Sequence, residues 1–193
     1  MDIPVRSART EDESAVFDVI TLAFAADPMT RWAVPNPARY LSVMPKVARA
    51  FGGNGFAHGS VFIAEGGTGA AMWLPPGVGP DSETLGSLLM EGASESMVPD
   101  MEAIMTKMEE VHPKEPHWYL PMIGVDPAMH GRGLGSILMR QGLDRCDKDH
   151  LPAYLESSNP RNISLYERHG FEIIGLIQAG GSPTLTPMLR RPR

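Results

Sequence analysis

The stretch from His117 to Phe171 constrains this chain more than any other. It reads as a strand (Trp118–Val125), a glycine-rich turn (His130–Gly135), a helix (about Ser136–Asp147), a second strand (Pro152–Glu156) and a short helix (Pro160–His169). The chemistry of such a β-loop-α-β-α unit lies at its joints. At the first joint Gly131, Gly133 and Gly135 alternate directly ahead of a helix, so no side chain keeps a ligand from the backbone. Successive free N–H groups and the positive end of the helix dipole form a seat for a phosphate or diphosphate, with Arg132 and His130 as added donors. A merely tight connection is the alternative.

Spacing separates this turn from two other phosphate-binding patterns. A dinucleotide fingerprint requires G-x-G-x-x-G and an acidic residue about twenty positions on. Glu156 lies near that distance, but the glycines here run G-x-G-x-G, and too little chain follows for the remaining strands of a doubly wound domain. The Gly-Lys-Ser/Thr of a P-loop is absent. At the second joint Asn159 is placed as an N-cap with Pro160 at the first helical position, and His169-Gly170 closes that helix, so Tyr166 rides a short helix beginning beside the end of the preceding strand.

These residues resemble the GNAT superfamily of N-acetyltransferases. Its acetyl-CoA signature, Gln/Arg-x-x-Gly-x-Gly/Ala, is matched by His130-Gly131-Arg132-Gly133-Leu134-Gly135, with His where Gln or Arg is usual. Its later signature is matched by Asn159, Tyr166, Gly170 and Phe171, with Asn162 where Ala is usual. The run GVDPAMHGRGLGS…LPAYLESSNPRNISLYERHGF looks most like the puromycin N-acetyltransferase branch. The resemblance covers residues 117–177 closely and the rest loosely.

It implies an α/β (α+β) GNAT fold: a mixed, mostly antiparallel sheet, splayed near its centre, with helices on both faces and acetyl-CoA (coenzyme A) in the cleft. The diphosphate would lie on His130, Gly131, Arg132, Gly133, Leu134, Gly135 and Ser136, with Asn159 and Asn162 nearby. Pro121 cannot donate a ladder hydrogen bond, so the strand around it is expected to bulge or splay, leaving the main chain of Ile123, Gly124 and Val125 for the pantetheine arm. Tyr166 becomes the general acid for the departing thiolate, because a phenol stays protonated at neutral pH. Glu156, on the same strand face as Tyr154, becomes the base, directly or through water. Aromatic packing for Tyr166 and a salt bridge or helix cap for Glu156 are the structural alternatives.

At 193 residues the chain is expected to form a single domain with its own core. A net charge of −6 argues against a nucleic-acid or anionic-membrane partner and is compatible with a cationic amine. The single cysteine, Cys146, excludes an intramolecular disulfide and falls in step with Leu138 and Met139 as a core thiol. No leader or spanning apolar run is visible, so a cytoplasmic location is the default, as monomer or homodimer. His58, His112, His117, His130, His150 and His169 form no metal-ligand spacing, and no G-x-S-x-G elbow occurs.

Around the central unit, residues 2–7 read as a strand and Thr10 to Ala26 as a helix with an acidic start. The link Asp27–Trp32 reads either as a loop with a buried Trp or, by the resemblance, as a border of the acceptor pocket. A helix follows from Pro37, then a hairpin (Ser60–Glu65, Ala70–Leu74), and a weakly helical region over 81–111 with Gly86 and Gly92 inside and Pro99 splitting it. Within it Met97, Met101, Met105 and Met108 form a stripe read as packing. Two strands (Glu172–Gln178, Thr184–Leu189) close the chain. The implied activity is acetyl transfer to a primary amine of a small molecule; the alternatives are a protein N-acetyltransferase and a non-catalytic acyl-CoA sensor.

Overall fold

Apolar runs that point both ways require cover on both faces. In the computed structural model, which describes residues 4–91 and 93–193, β2 (Val61–Ala64) and β3 (Gly69–Leu74) are buried along their whole length. Their side chains alternate between two layers. Val61, Ile63, Ala70 and Met72 join one cluster with Val16 and Ile20 of α1 (Glu13–Ala23) and Val43, Met44 and Val47 of α3 (Pro37–Gly52). Phe62, Ala64, Ala71 and Trp73 join another with Leu134, Leu138, Met139, Leu143 and Cys146 of α6 (Leu134–Lys148). Each such side chain removed from water contributes about 1.5–3 kcal/mol before entropy is subtracted.

The seven-stranded sheet also contains β1 (Val5–Ser7), β4 (Trp118–Val125), β5 (Ala153–Ser157), β6 (Glu172–Ile173) and β7 (Thr186–Arg190), in the order β1-β2-β3-β4-β5-β7-β6. Only β4 and β5 run parallel; every other pairing is antiparallel. The mixed, mostly antiparallel sheet with helices on both faces is the expected fold. The remaining helices are α2 (Pro28–Ala33), α4 (Ser82–Met90), α5 (Val98–Val111) and α7 (Ile163–Arg168).

Three expectations change. The link Asp27–Trp32 is not a loop: Asp27 caps α2 by accepting from Thr30 N–H at 2.9 Å, with Pro28 at its first position, and Trp32 is half-buried. The strand expected over Glu172–Gln178 pairs only through Ile173, apart from an isolated bridge at Ile177, because Ile174 and Leu176 turn to solvent. Pro99, in the first turn of α5, goes with the expected division of the region into two helices, α4 and α5. Of the methionine stripe, Met101 is core whereas Met105 is 40% exposed. The start of the first expected strand and Gly92 lie outside the described residues.

Candidate active site

β4 decides where the sheet opens. Met72 pairs with Met122 and Leu74 with Tyr119, so two steps along β3 match three along β4, and the extra residue falls beside Pro121. On the other edge β4 pairs with β5 only at Trp118↔Ala153 and Tyr119↔Tyr154. Beyond Leu120 and Leu155 no ladder joins them among the described residues, so a parted, partly polar notch forms in mid-sheet.

The ladder also decides which β4 amides face the notch. Asp126 N–H donates to Thr68 O at 2.9 Å. Alternation along an antiparallel pair then turns Gly124 and Met122 toward β3, and Ile123 and Val125 toward the notch. Gly124 therefore leaves the expected cofactor set. Its lack of a side chain serves packing, since an added Cβ would stand 2.6 Å from Ala23 Cβ of α1. Val125 keeps its N–H, but its carbonyl accepts from His130 Nε2 at 3.1 Å, so His130 spends that donor on the chain rather than on an anion.

At the head of α6, Gly131 and Gly133 both have φ of 77°, which only glycine adopts at little cost, and an added Cβ at either would meet nothing within 4 Å. The amides of residues 131–135 are taken by no acceptor among the described residues. Ser136 N–H is already bonded to Gly133 O at 3.1 Å, leaving its hydroxyl as its available donor. Arg132 is exposed beside this cradle. Open backbone, a helix N-terminus and a free strand edge in continuity fit a diphosphate-bearing arm such as that of coenzyme A.

Of the predicted acid and base, Glu156 lies at the fork of β4 and β5, whereas Tyr166 packs into the core cluster under α6. Glu156 lies two residues beyond Tyr154, the last β5 residue paired with β4, with its side chain only 4% exposed. Its Oε2 accepts from Tyr119 Oη at 2.7 Å; its Oε1 is buried without a hydrogen-bond partner and stands 3.7 Å from His112 Nδ1. The salt bridge or cap left open by sequence is thus mostly replaced by a phenol hydrogen bond. Tyr166 is buried against Phe171, with ring centroids 6.2 Å apart. Burial first, and then the Asp27 carboxylate, push its phenol above the ordinary value. Asp27 accepts from Ser158 Oγ at 2.7 Å, tying α2 to the chain just after β5. Asn159 caps the next turn through Arg161 N–H at 3.1 Å, while Asn162 is exposed.

Sequence reading missed Tyr119, His112, His117, Asp27 and Ser158. A cleft of about 600 Å³ opens beside Tyr119, lined by Pro75–Pro80 and His112–His117.

A sheet parted after two parallel residue pairs, with bare amides at the head of the following helix, matches the fold expected from the sequence. The sequence model of the acetyltransferase (GNAT) family matches residues 96–171, the segment that builds the notch. An uncharacterized N-acetyltransferase of Schizosaccharomyces pombe is 34% identical over 91 residues, 45% of this chain and 37% of that protein. The chain thus spans little more than a third of the length of that relative. Among solved structures, the Corynebacterium glutamicum protein described as histone acetyltransferase HPA2 and related acetyltransferase is 25% identical, with a TM-score of 0.71 over 100% of this chain and 98% of its own. The Drosophila melanogaster polyamine N-acetyltransferase, at 17% identity, has the same fold, with a TM-score of 0.64 over 98% of this chain and 100% of its own. The family model over residues 96–171 and the solved structures agree that this chain has the GNAT fold.

Proposed function

We propose that the protein moves an acetyl group from acetyl-CoA to a primary amine of a small molecule, by direct attack within a ternary complex. The observation that carries this reading is the continuity of the free amides at 131–135, the open edge of β4 and a buried carboxylate, Glu156, at the fork of β4 and β5. The cofactor supplies an acetyl thioester. Ile123 and Val125 N–H, Gly131, Arg132, Gly133, Leu134, Gly135 and Ser136 Oγ are the groups available to hold it. Glu156 takes the ammonium proton, and Tyr166 protonates the departing thiolate. Asn159 and Asn162 contribute the frame that sets Tyr166.

A small acceptor is favoured by the cleft of about 600 Å³ beside Tyr119, open to solvent and lined by Pro75–Pro80 and His112–His117. The puromycin-type acceptor implied by the sequence resemblance belongs in the first panel, beside polyamines and arylalkylamines. Acetyl-CoA should raise the melting temperature, and free thiol should be released only when an accepted amine is added. Stabilisation without thiol release from any amine or basic peptide would favour the sensor reading; protection by NAD but not by CoA would overturn the cofactor assignment.

A further inference from the structure

Glu156 does not stand alone. His112, at the C-terminal end of α5, packs edge-on to Tyr119 and Tyr154, with centroid distances of 5.1 and 4.8 Å. Its Nε2 lies 3.0 Å from His117 Nε2, and His117 Nδ1 lies 2.8 Å from Glu115 O. A carbonyl oxygen only accepts, so His117 must carry its hydrogen on Nδ1 and present a lone pair at Nε2. That lone pair demands the hydrogen of His112 on Nε2. In neutral His112, Nδ1 is then a bare lone pair 3.7 Å from Glu156 Oε1, itself buried and without a partner. Tyr154 Oη, also buried without a close partner, is a phenol donor beside the same carboxylate rather than a further acceptor.

Acceptors that face one another with no hydrogen between them are a costly arrangement unless a donor arrives. Acetyl transfer to a protonated amine delivers such a donor: the ammonium loses two protons, the thiolate regains one, and one proton per turnover must leave. Building on the acetyltransferase reading, we propose that Glu156 Oε1 and His112 Nδ1 together receive the acceptor's ammonium and its proton, and that His117 passes the proton to the cleft lined by residues 112–117. On arrival of the proton at His112 Nδ1, the Nε2 hydrogen shifts to His117 Nε2, and His117 Nδ1–H, or water in the cleft, completes the exit. The groups around the pair are Tyr119 on β4, Tyr154 and Glu156 on β5, Lys114 and Glu115 in the connecting loop, and Arg191, which pairs with Glu115 at 2.7 Å.

Two measurements test this. Long-range ¹H–¹⁵N spectra of the ligand-free protein should show the Nε2–H tautomer for His112 and the Nδ1–H tautomer for His117, with the His112 Nδ1 resonance moving in Glu156→Gln. In kinetics, His112→Phe keeps a ring against the two tyrosines; kcat should fall by about 10²-fold or more while KM for acetyl-CoA stays within twofold, and the acid limb of the pH profile should move. His112→Ala should be rescued by added imidazole, in proportion to its free base, which a packing role would not allow. A His112 bearing Nδ1–H that ignores Glu156→Gln, or His112→Phe with unchanged kcat and acid limb, would overturn the pair. Absence of turnover in the unaltered protein would strike the acetyltransferase reading instead, and the spectra, which need no substrate, then decide the pair by themselves.

Discussion

Tyr166 shows how burial shapes a role. With its ring enclosed and its phenol shifted upward, it is a weaker acid than free tyrosine and stays protonated at neutral pH, as the proposed proton donor must. Tyr166→Phe should lower turnover by about 10²–10⁴-fold and leave CoA affinity, measured by calorimetry, unchanged. Cys146 behaves oppositely to a catalytic thiol. Burial pushes it up to about 12, and its Sγ donates to Gly142 O at 3.2 Å, so Ellman's reagent should titrate it only after denaturation. Fast labelling of the native protein would contradict that. Tyr166, Glu156 and the glycines could be read from sequence because each belongs to a short local pattern. Tyr119, His112 and Asp27 could not: Tyr119 is 37 positions from Glu156, and Asp27 is 131 from Ser158, separations that only the sheet register and helix packing close.

Among elements, α6 and β4 explain which glycines misled. Gly142 of α6 sits against the Trp73 ring, in space that an added Cβ would have to share with the indole. Gly142→Ala should therefore destabilise by about 1–3 kcal/mol in urea titration, although alanine is the better helix former. A linear reading cannot tell a glycine required for close packing, such as Gly124 or Gly142, from one required for positive φ, such as Gly131. By contrast, the start of α2 carried a readable signal. Asp27-Pro28 has the same cap-then-proline order as Asn36-Pro37 and Asn159-Pro160, and all three open helical turns. Pro121 was legible for a different reason: a missing N–H disrupts a ladder in any tertiary context.

For the whole molecule, acid stability rests on a few tied carboxylates. Arg190, 4% exposed, donates to both oxygens of Asp147 at 2.8 Å and to His169 O at 3.0 Å, pinning β7 to the end of α6. That guanidinium holds the Asp147 carboxyl below its ordinary value, and Arg6, with Arg9 N–H, holds Asp12 down to about 2. Both groups bind protons less readily folded than unfolded, so their contribution is complete above the ordinary value near 3.8 and is lost as pH falls through the lowered folded values. Melting temperature should be flat above pH 5 and drop below about pH 4, and Asp147→Asn should lower the plateau and flatten the drop. The supernumerary residue of β4 has a consequence of its own. It acts as a half-period phase shift: upstream of it Tyr119 looks toward α3 and Trp118 toward α6, and downstream Met122 rejoins the α3 side out of step. Excising Pro121 would bring the strand back into phase with Trp118, Tyr119 and Leu120 on the faces they already hold, since Leu120 on the α6 side would then directly precede Met122 on the α3 side. Tyr119 would stay on the side of Glu156, but the two central strands would be free to zip shut, so the proline that spoils the ladder is what keeps a doorway in the sheet.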